Sequence, residues 1–467
     1  MRKQFDMNPR QVPQVNTKYR KITTEIPAKE SLAILEQLYQ NEPRSMRGQP
    51  PIIWQSARGV NVFDPYGNKW LDFSSGVVVA NSGHGNEEII KAVQAQLDAG
   101  LLHTYCFPNK ARVELVSCLA KICPDPLKKV FLLSTGSETA ECAIKLSRTY
   151  GKTKKENKTQ IISFDDGFHG RTLGSLLAGG SPMAKKWVSH LDPDIIQVPF
   201  PNAFKYPWAD EKSPDYSDDK CFAVFLELLR ERGGEIDRIC AIMGETFQGG
   251  WVQLMPQGFV KKLREFTAKH DILLIFDEIQ AAFGRTGKLF GFEHYDVVPD
   301  IAIFGKGLSS SLPVSAVVGR PDIMDLYGPN EMTSTHSGNP LASAAALANI
   351  RYIVSQKLTE NADILGKEIV FPRLEELKSR FQEIGFTAGV GLAWGIIFVK
   401  PGTKDLDSNF AHDVVEKALE KGLLFFAPVG GGATIKITPP LVISREALEE
   451  GLAVLEESIE EVKRKTD

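Results

Sequence analysis

Two short stretches constrain this chain more than any others: Asp271-Ile-Leu-Leu-Ile-Phe-Asp-Glu278 and Ile301-Ala-Ile-Phe-Gly-Lys306. Each is an apolar, partly β-branched run that ends in charge, the signature of a strand buried on both faces in a parallel sheet. The first run brings Asp277 to the carboxyl end of its strand, and the second brings Lys306 to an equivalent place. Twenty-nine positions separate the two, room enough for the crossover that parallel neighbours require. Open α/β sheets bind their ligands off the carboxyl ends of strands, so an acid and an amine would face one cleft. Read alone, either residue also suits a surface group or an ion pair.

The frame around these strands is ordinary for a soluble globular protein. A chain of 467 residues can bury a large core and fills two or three domains, or one large domain with a satellite. Hydrophobic residues make up 43% and charged residues 24%, with a formal net charge of −3. No basic excess points to nucleic acid or to an anionic membrane. The six cysteines form no CxxC pair, and several sit in apolar runs, so they read as reduced core residues of a cytoplasmic protein. The first residues lack the apolar stretch of a secretory signal, and no run is long enough to span a membrane.

Along the chain, residues 1 to about 50 are polar and rich in proline, with one helix-like patch at Ser31–Tyr39. They read as an extended arm that packs on something else, such as a partner subunit. Pro65-Tyr-Gly-Asn68 sits between alternating segments as a hairpin turn. Val130–Ser134 reads as a strand, and Thr135-Gly-Ser-Glu138 opens a helix. The Gly136-Ser137 pair at that positive helix end suits a phosphate, although a simple capping box explains the same residues. Ile161–Phe164 is the next strand, followed by Phe168-His169-Gly170-Arg171, which sets an aromatic face, an imidazole and a guanidinium at one sheet edge. The proline-rich segment 200–220 reads as a surface excursion, and Ile239–Glu245 as a strand that ends in Glu245. From about residue 355, alternating helices and strands suggest a separate α/β domain. Gly430-Gly-Gly432 is a turn without a nucleotide-binding helix behind it.

Three classes of function compete for this pattern. A strand-end lysine with an aspartate beside it suits a pyridoxal phosphate enzyme, since the amine can form a Schiff base and the acid can keep a pyridine nitrogen protonated. A nucleotide hydrolase would use Asp277-Glu278 for magnesium, but no GxxxxGK[ST] turn precedes it. A binding protein on a dead enzyme scaffold would be expected to lose Asp277 or Lys306, and both are present.

From about Gln49 to its end, the chain resembles the class III (ω-type) aminotransferases, which include the 4-aminobutyrate, ornithine and acetylornithine enzymes. The matching stretches are Ser134-Thr-Gly-Ser-Glu-Thr-Ala140, Phe168-His-Gly-Arg-Thr172, Phe276–Gly287, Gly305-Lys-Gly307 and Ser337-Gly-Asn-Pro-Leu-Ala342. The resemblance implies a fold-type I pyridoxal phosphate-dependent transferase of the α/β class. Its large domain, with a mostly parallel central sheet, would span 81–345. Residues 1–80 would form the arm and part of a small domain, which 346–467 completes. It further implies that pyridoxal 5′-phosphate is linked to Lys306, with Asp277 at the ring nitrogen and Gln280 near the ring hydroxyl. Gly136 and Ser137 would hold the phosphate and Phe168 would stack on the ring, beside His169 and Glu245. Thr335 would reach the cofactor of a second subunit, which makes the active unit a homodimer or larger. The substrates would be an amino donor and a keto acid, with Arg171, Val77 and Lys436 as candidate contacts; no metal is expected. Racemases, decarboxylases and phospho-lyases share the same scaffold. The chain departs from its family at two places: Gly250 and Lys436 stand where many members pair a glutamate with a mobile arginine that binds carboxylates.

Overall fold

The computed structural model describes residues 3–466. The chain divides into a compact unit of Glu87–Ser355 and a second built from the two chain ends, up to Asn86 and from Gln356. The sequence expectation placed the cuts after residues 80 and 345. A cut after 345 would divide the helix Pro340–Ser355, which the compact units keep whole.

The large unit is organised around seven strands: β1 (Lys129–Leu133), β2 (Gln160–Phe164), β3 (Ile195–Val198), β4 (Ile239–Glu245), β5 (Leu273–Asp277), β6 (Ile301–Phe304) and β7 (Ser315–Gly319). They lie in the order β1-β7-β6-β5-β4-β2-β3. All run parallel except β7, which is antiparallel to both β6 and β1. The central strands are largely apolar because helices cover the sheet: every residue of β4, β5, β6 and β7 is buried. Helix α1 (Gly136–Lys154) leaves β1 and packs Ala140, Ala143, Ile144 and Leu146 into the same core as Ile275 and Ile303. In register, Asp277 pairs with Glu245 on one side and Ile303 on the other, so the charged strand ends are level. The segment after residue 200 is less superficial than its prolines suggest, because Phe200, Asn202, Phe204 and Ala209 are buried.

In the second unit, Asn61–Phe63 and Lys69–Asp72 form the expected hairpin within a mixed sheet that also holds Leu423–Leu424. A separate antiparallel sheet consists of Ile384–Val390, Ala393–Phe398 and Thr434–Ile437. Lys436 is buried in the last of these strands, opposite Gly395.

The amino-terminal arm, expected to pack on something else, packs on the rest of the second unit of its own chain. Ile22 and Ile26 share a core with Trp70, Leu419 and Leu424 of the same chain, and the Phe5 ring lies tilted against His412, centres 4.5 Å apart. Arg10 bridges Glu416 and Glu420, and Arg20 pairs with Glu450 at 2.6 Å. Periodicity missed this anchoring because an extended segment buries single side chains at irregular intervals.

A second feature of this unit is a left-handed turn. Ser75, Gly76, Val77 and Val78 all have φ between 49° and 65°, a conformation that costs a β-branched residue roughly 1–2 kcal/mol. Asp72 Oδ1 anchors its start, accepting from Ser74 N at 2.7 Å and Ser74 Oγ at 2.6 Å. Val77 is exposed at its tip, and Val78 is buried.

Candidate active site

The carboxyl ends of β4, β5 and β6 and the amino end of α1 converge on a cavity of about 160 Å³. It is lined by Gly136, Ser137, Phe168, His169, Glu245, Asp277, Gln280 and Lys306, all named from the sequence, together with Thr135, Gly170 and Ile279.

Lys306 opens a short turn directly after β6, with φ of 43°. A non-glycine residue held there is strained, and such strain persists where surrounding structure fixes it. Lys306 is half-buried against the cavity, and desolvation lowers its pKa although Asp277 and Glu245 pull the other way. Among the described residues, no carboxylate lies within ion-pairing distance of its Nζ.

Asp277 is buried at the end of β5 and is fixed from two sides. Its Oδ1 accepts from Ile279 N at 3.0 Å, and its Oδ2 lies 2.7 Å from His169 Nδ1. His169 is fully enclosed; burial alone would lower its pKa, but the Asp277 carboxylate outweighs that and raises it. Its Nε2 has no partner among the described residues, so Asp277 alone sets the orientation of the ring. Glu245, also buried, accepts from Phe168 N at 3.2 Å and from Gly249 N at 3.1 Å. Desolvation raises its pKa, opposed chiefly by His169. Glu245 therefore holds the backbone on which Phe168 stands.

The amino end of α1 carries both a cap and open amides. Thr135 Oγ1 accepts from Glu138 N at 3.3 Å, while Glu138 Oε2 accepts from Thr135 N at 2.8 Å and Ser134 N at 2.9 Å. That capping box leaves the Gly136 and Ser137 N–H groups, which precede any helical acceptor, without a protein partner among the described residues. Gly136 is required for packing: a Cβ there would come within 2.6 Å of Ile279 Cδ1. A Cβ at Gly249 would likewise come within 2.3 Å of Gln280 Nε2. Anion cradles of this kind favour phosphate.

Arg171 does not line the cavity. Its backbone N donates to Ser137 Oγ at 3.2 Å, and its exposed guanidinium lies 5.7 Å from the centre of the Phe168 ring. Phe168 is itself 49% exposed. Thr335 is exposed on the loop before the helix Pro340–Ser355 and is not part of the cavity wall. Val77 and Lys436 belong to the other unit. Sequence reading missed the wall formed by Ile279. Its signal was the aliphatic residue two places after Asp277, at the point where the strand gives way to a turn.

Known proteins agree on the family. The model of the class III aminotransferases matches residues 44–459. The chain is 34% identical over 409 residues to an acetylornithine aminotransferase of Methanopyrus kandleri, which covers 88% of this chain and 94% of that protein. It is 33% identical over 437 residues to a leucine/methionine racemase of Thermococcus litoralis, covering 92% and 95%. The crystal structure of a Bacillus anthracis aminotransferase superposes with a TM-score of 0.84 at 28% identity, over 93% of this chain and 99% of that one. The chain belongs to the class III aminotransferases, a pyridoxal phosphate-dependent enzyme family of fold-type I.

Proposed function

We propose that the cavity binds pyridoxal 5′-phosphate and that the enzyme exchanges an amino group between an amine or ω-amino acid and a keto acid. The observation that carries this reading is the meeting of three unlike groups in one cavity: the Lys306 amine, the buried Asp277–His169 pair and the open amides of α1. They fit the cofactor group by group. The Gly136 and Ser137 amides and the Ser137 hydroxyl would hold its phosphate, Asp277 its ring nitrogen and Gln280 its ring hydroxyl. Phe168 and Ile279 offer flat and aliphatic walls for its ring. When bound, pyridoxal phosphate supplies a carbonyl for the substrate amine and an electron-withdrawing ring that acidifies the adjacent carbon.

The protein's own groups would divide the remaining work. Lys306, whose lowered pKa leaves more of the amine neutral near pH 7, holds the cofactor and then takes and returns the substrate proton at Nζ. Asp277 would face the ring nitrogen, and His169 keeps Asp277 oriented. Glu245 fixes the Phe168 backbone. Arg171 anchors the substrate carboxylate as the principal contact, Lys436 gives a weaker one or none, and Val77 borders the substrate. Thr335 serves the cofactor of a second copy, so the working unit is a homodimer or larger. The buried, unpaired cysteines support a cytoplasmic setting.

The test is a donor and acceptor screen followed through the cofactor's visible absorbance. Purified protein should be yellow, and borohydride should fix the cofactor to Lys306. Stoichiometric keto acid consumption with a new amino acid marks transamination. Inversion of an amino acid with no keto acid required would replace this reading by a racemase.

A further inference from the structure

The segment that carries Phe168, His169 and Arg171 is pressed against α1 by contacts that catalysis does not require. Glu141, one turn beyond Ser137, accepts from Thr172 Oγ1 at 2.6 Å and from Ser175 N at 3.0 Å through the same oxygen, Oε1. It thereby supplies the amino-terminal cap of the short helix Leu173–Ala178, where Thr172 makes no side-chain cap of its own. Thr172 Oγ1 also lies 2.9 Å from Ser175 Oγ, and Arg171 N donates to Ser137 Oγ. Two glycines permit this closeness. At Gly170, φ +141°, a Cβ would come within 2.3 Å of Ser137 Oγ and 2.5 Å of Ser175 Oγ; at Gly174 it would come within 2.3 Å of Glu141 Oε2. Arg171 is thus flanked by two points of attachment to α1, Ser137 at its own amide and Glu141 at the next residue. Its exposed guanidinium has no ion pair recorded among the described residues, so the main chain sets where it stands.

We infer that Glu141 is a positioning residue for Arg171: by holding Thr172 and Ser175 it fixes the main chain from which the guanidinium reaches the substrate carboxylate. The inference rests on the reading of Arg171 as the carboxylate anchor. Misplacing a binding group by about 1 Å is enough to cost on the order of a hundredfold, and losing one bond of a clamp costs less. Removing Glu141 should therefore weaken carboxylate binding and leave the cofactor in place.

The experiment uses the holoenzyme and two probes: 4-aminobutyrate as donor, and butyrate, a carboxylate with no amine, as competitive inhibitor. Glu141→Ala and Thr172→Val should raise the KM for 4-aminobutyrate and the inhibition constant of butyrate by about tenfold, with kcat and cofactor affinity within about twofold. Glu141→Gln, whose amide oxygen still accepts both bonds, should restore most of the loss. Gly174→Ala should reproduce the defect without unfolding, since its methyl group displaces only the end of the Glu141 side chain. A drop in kcat and cofactor affinity with unchanged butyrate binding would overturn the inference and assign Glu141 to the phosphate cradle. Unchanged kinetics in every variant would overturn it too. If Arg171→Ala itself leaves butyrate binding intact, the anchor reading fails and takes this inference with it; a protein that binds no pyridoxal phosphate fails the broader reading instead.

Discussion

Asp277 and Glu278 are neighbours in sequence, both buried, and they do opposite things. Asp277 faces the cavity, with His169 on one oxygen. Glu278 faces the other way, accepting from Gly291 N at 2.6 Å and Phe292 N at 2.9 Å. Successive residues leaving a strand point to opposite sides. One carboxylate therefore faces the cavity and the other braces the turn behind it. Burial pushes the Glu278 carboxyl up to about 7, against the pull of its backbone donors and Thr246. What separates reactive from structural acid here is the face of the sheet, not residue type, burial or position in a motif.

The largest effect belongs to the group that faces Asp277 across the cavity. Lys306→Ala should lower turnover by about 10⁴-fold or more and remove the borohydride-stable link to the cofactor, read by peptide mass spectrometry. Labelling at Lys288 instead would break the site assignment. Asp277→Asn should follow, with a loss of about 10³-fold in kcat at near-normal fold stability, measured by steady-state kinetics alongside thermal melting. Arg171→Ala should cost roughly ten- to a hundredfold in kcat/KM for carboxylate donors, and Lys436→Ala less. Equal losses with plain amines would make Arg171 structural, and a larger loss at Lys436 would reverse the two.

The sharpest test of the comparison is its smallest effect on rate. Glu278→Gln should leave kcat within about fivefold, well short of Asp277→Asn. Its mark should be on stability. The folded protein holds the Glu278 proton more tightly than the unfolded chain does. Stability is therefore fullest below the ordinary carboxyl value of 4.5 and is lost as pH rises through about 7. The loss is up to about 3 kcal/mol. The Gln variant should lack that slope, so its melting temperature relative to the wild type should climb between pH 4.5 and 7. A rate loss equal to that of Asp277→Asn would erase the distinction between the two acids.

Most of the large unit was legible because buried parallel strands write continuous apolar runs; β4 and β5 end on Glu245 and Asp277, while β6 ends at Phe304, two residues before Lys306. The acid, the amine and the helix start were readable for the same reason. The antiparallel course of β7 was not, since Val314–Gly319 carries no mark of direction. Nor was the His169–Asp277 bond, which joins residues 108 positions apart, or the Glu141 clamp, whose partners follow a loop of unpredictable path. Where the arm anchors was not legible because its contacts are scattered single side chains. The left-handed turn at Ser75–Val78 was invisible, since valine is the last residue that propensity would place there.

The place of β7 between β1 and β6 also decides when the cavity can exist. In the large sheet β1 pairs only with β7, Leu133 opposite Ser315, and Ser315 Oγ donates to Thr135 O at 2.8 Å. The helix start that β1 feeds is therefore seated only after residue 319 has left the ribosome, although its own strand emerged long before. Closing a loop of that length is a slow, non-local event. Until then β1 is a strand with two open edges and α1 lacks its neighbour across the sheet. A ligand that touches both α1 and Lys306 spans the joint that forms last, and mass action lets it hold that joint shut. Cofactor supply during synthesis would then set the yield of folded protein as well as its activity.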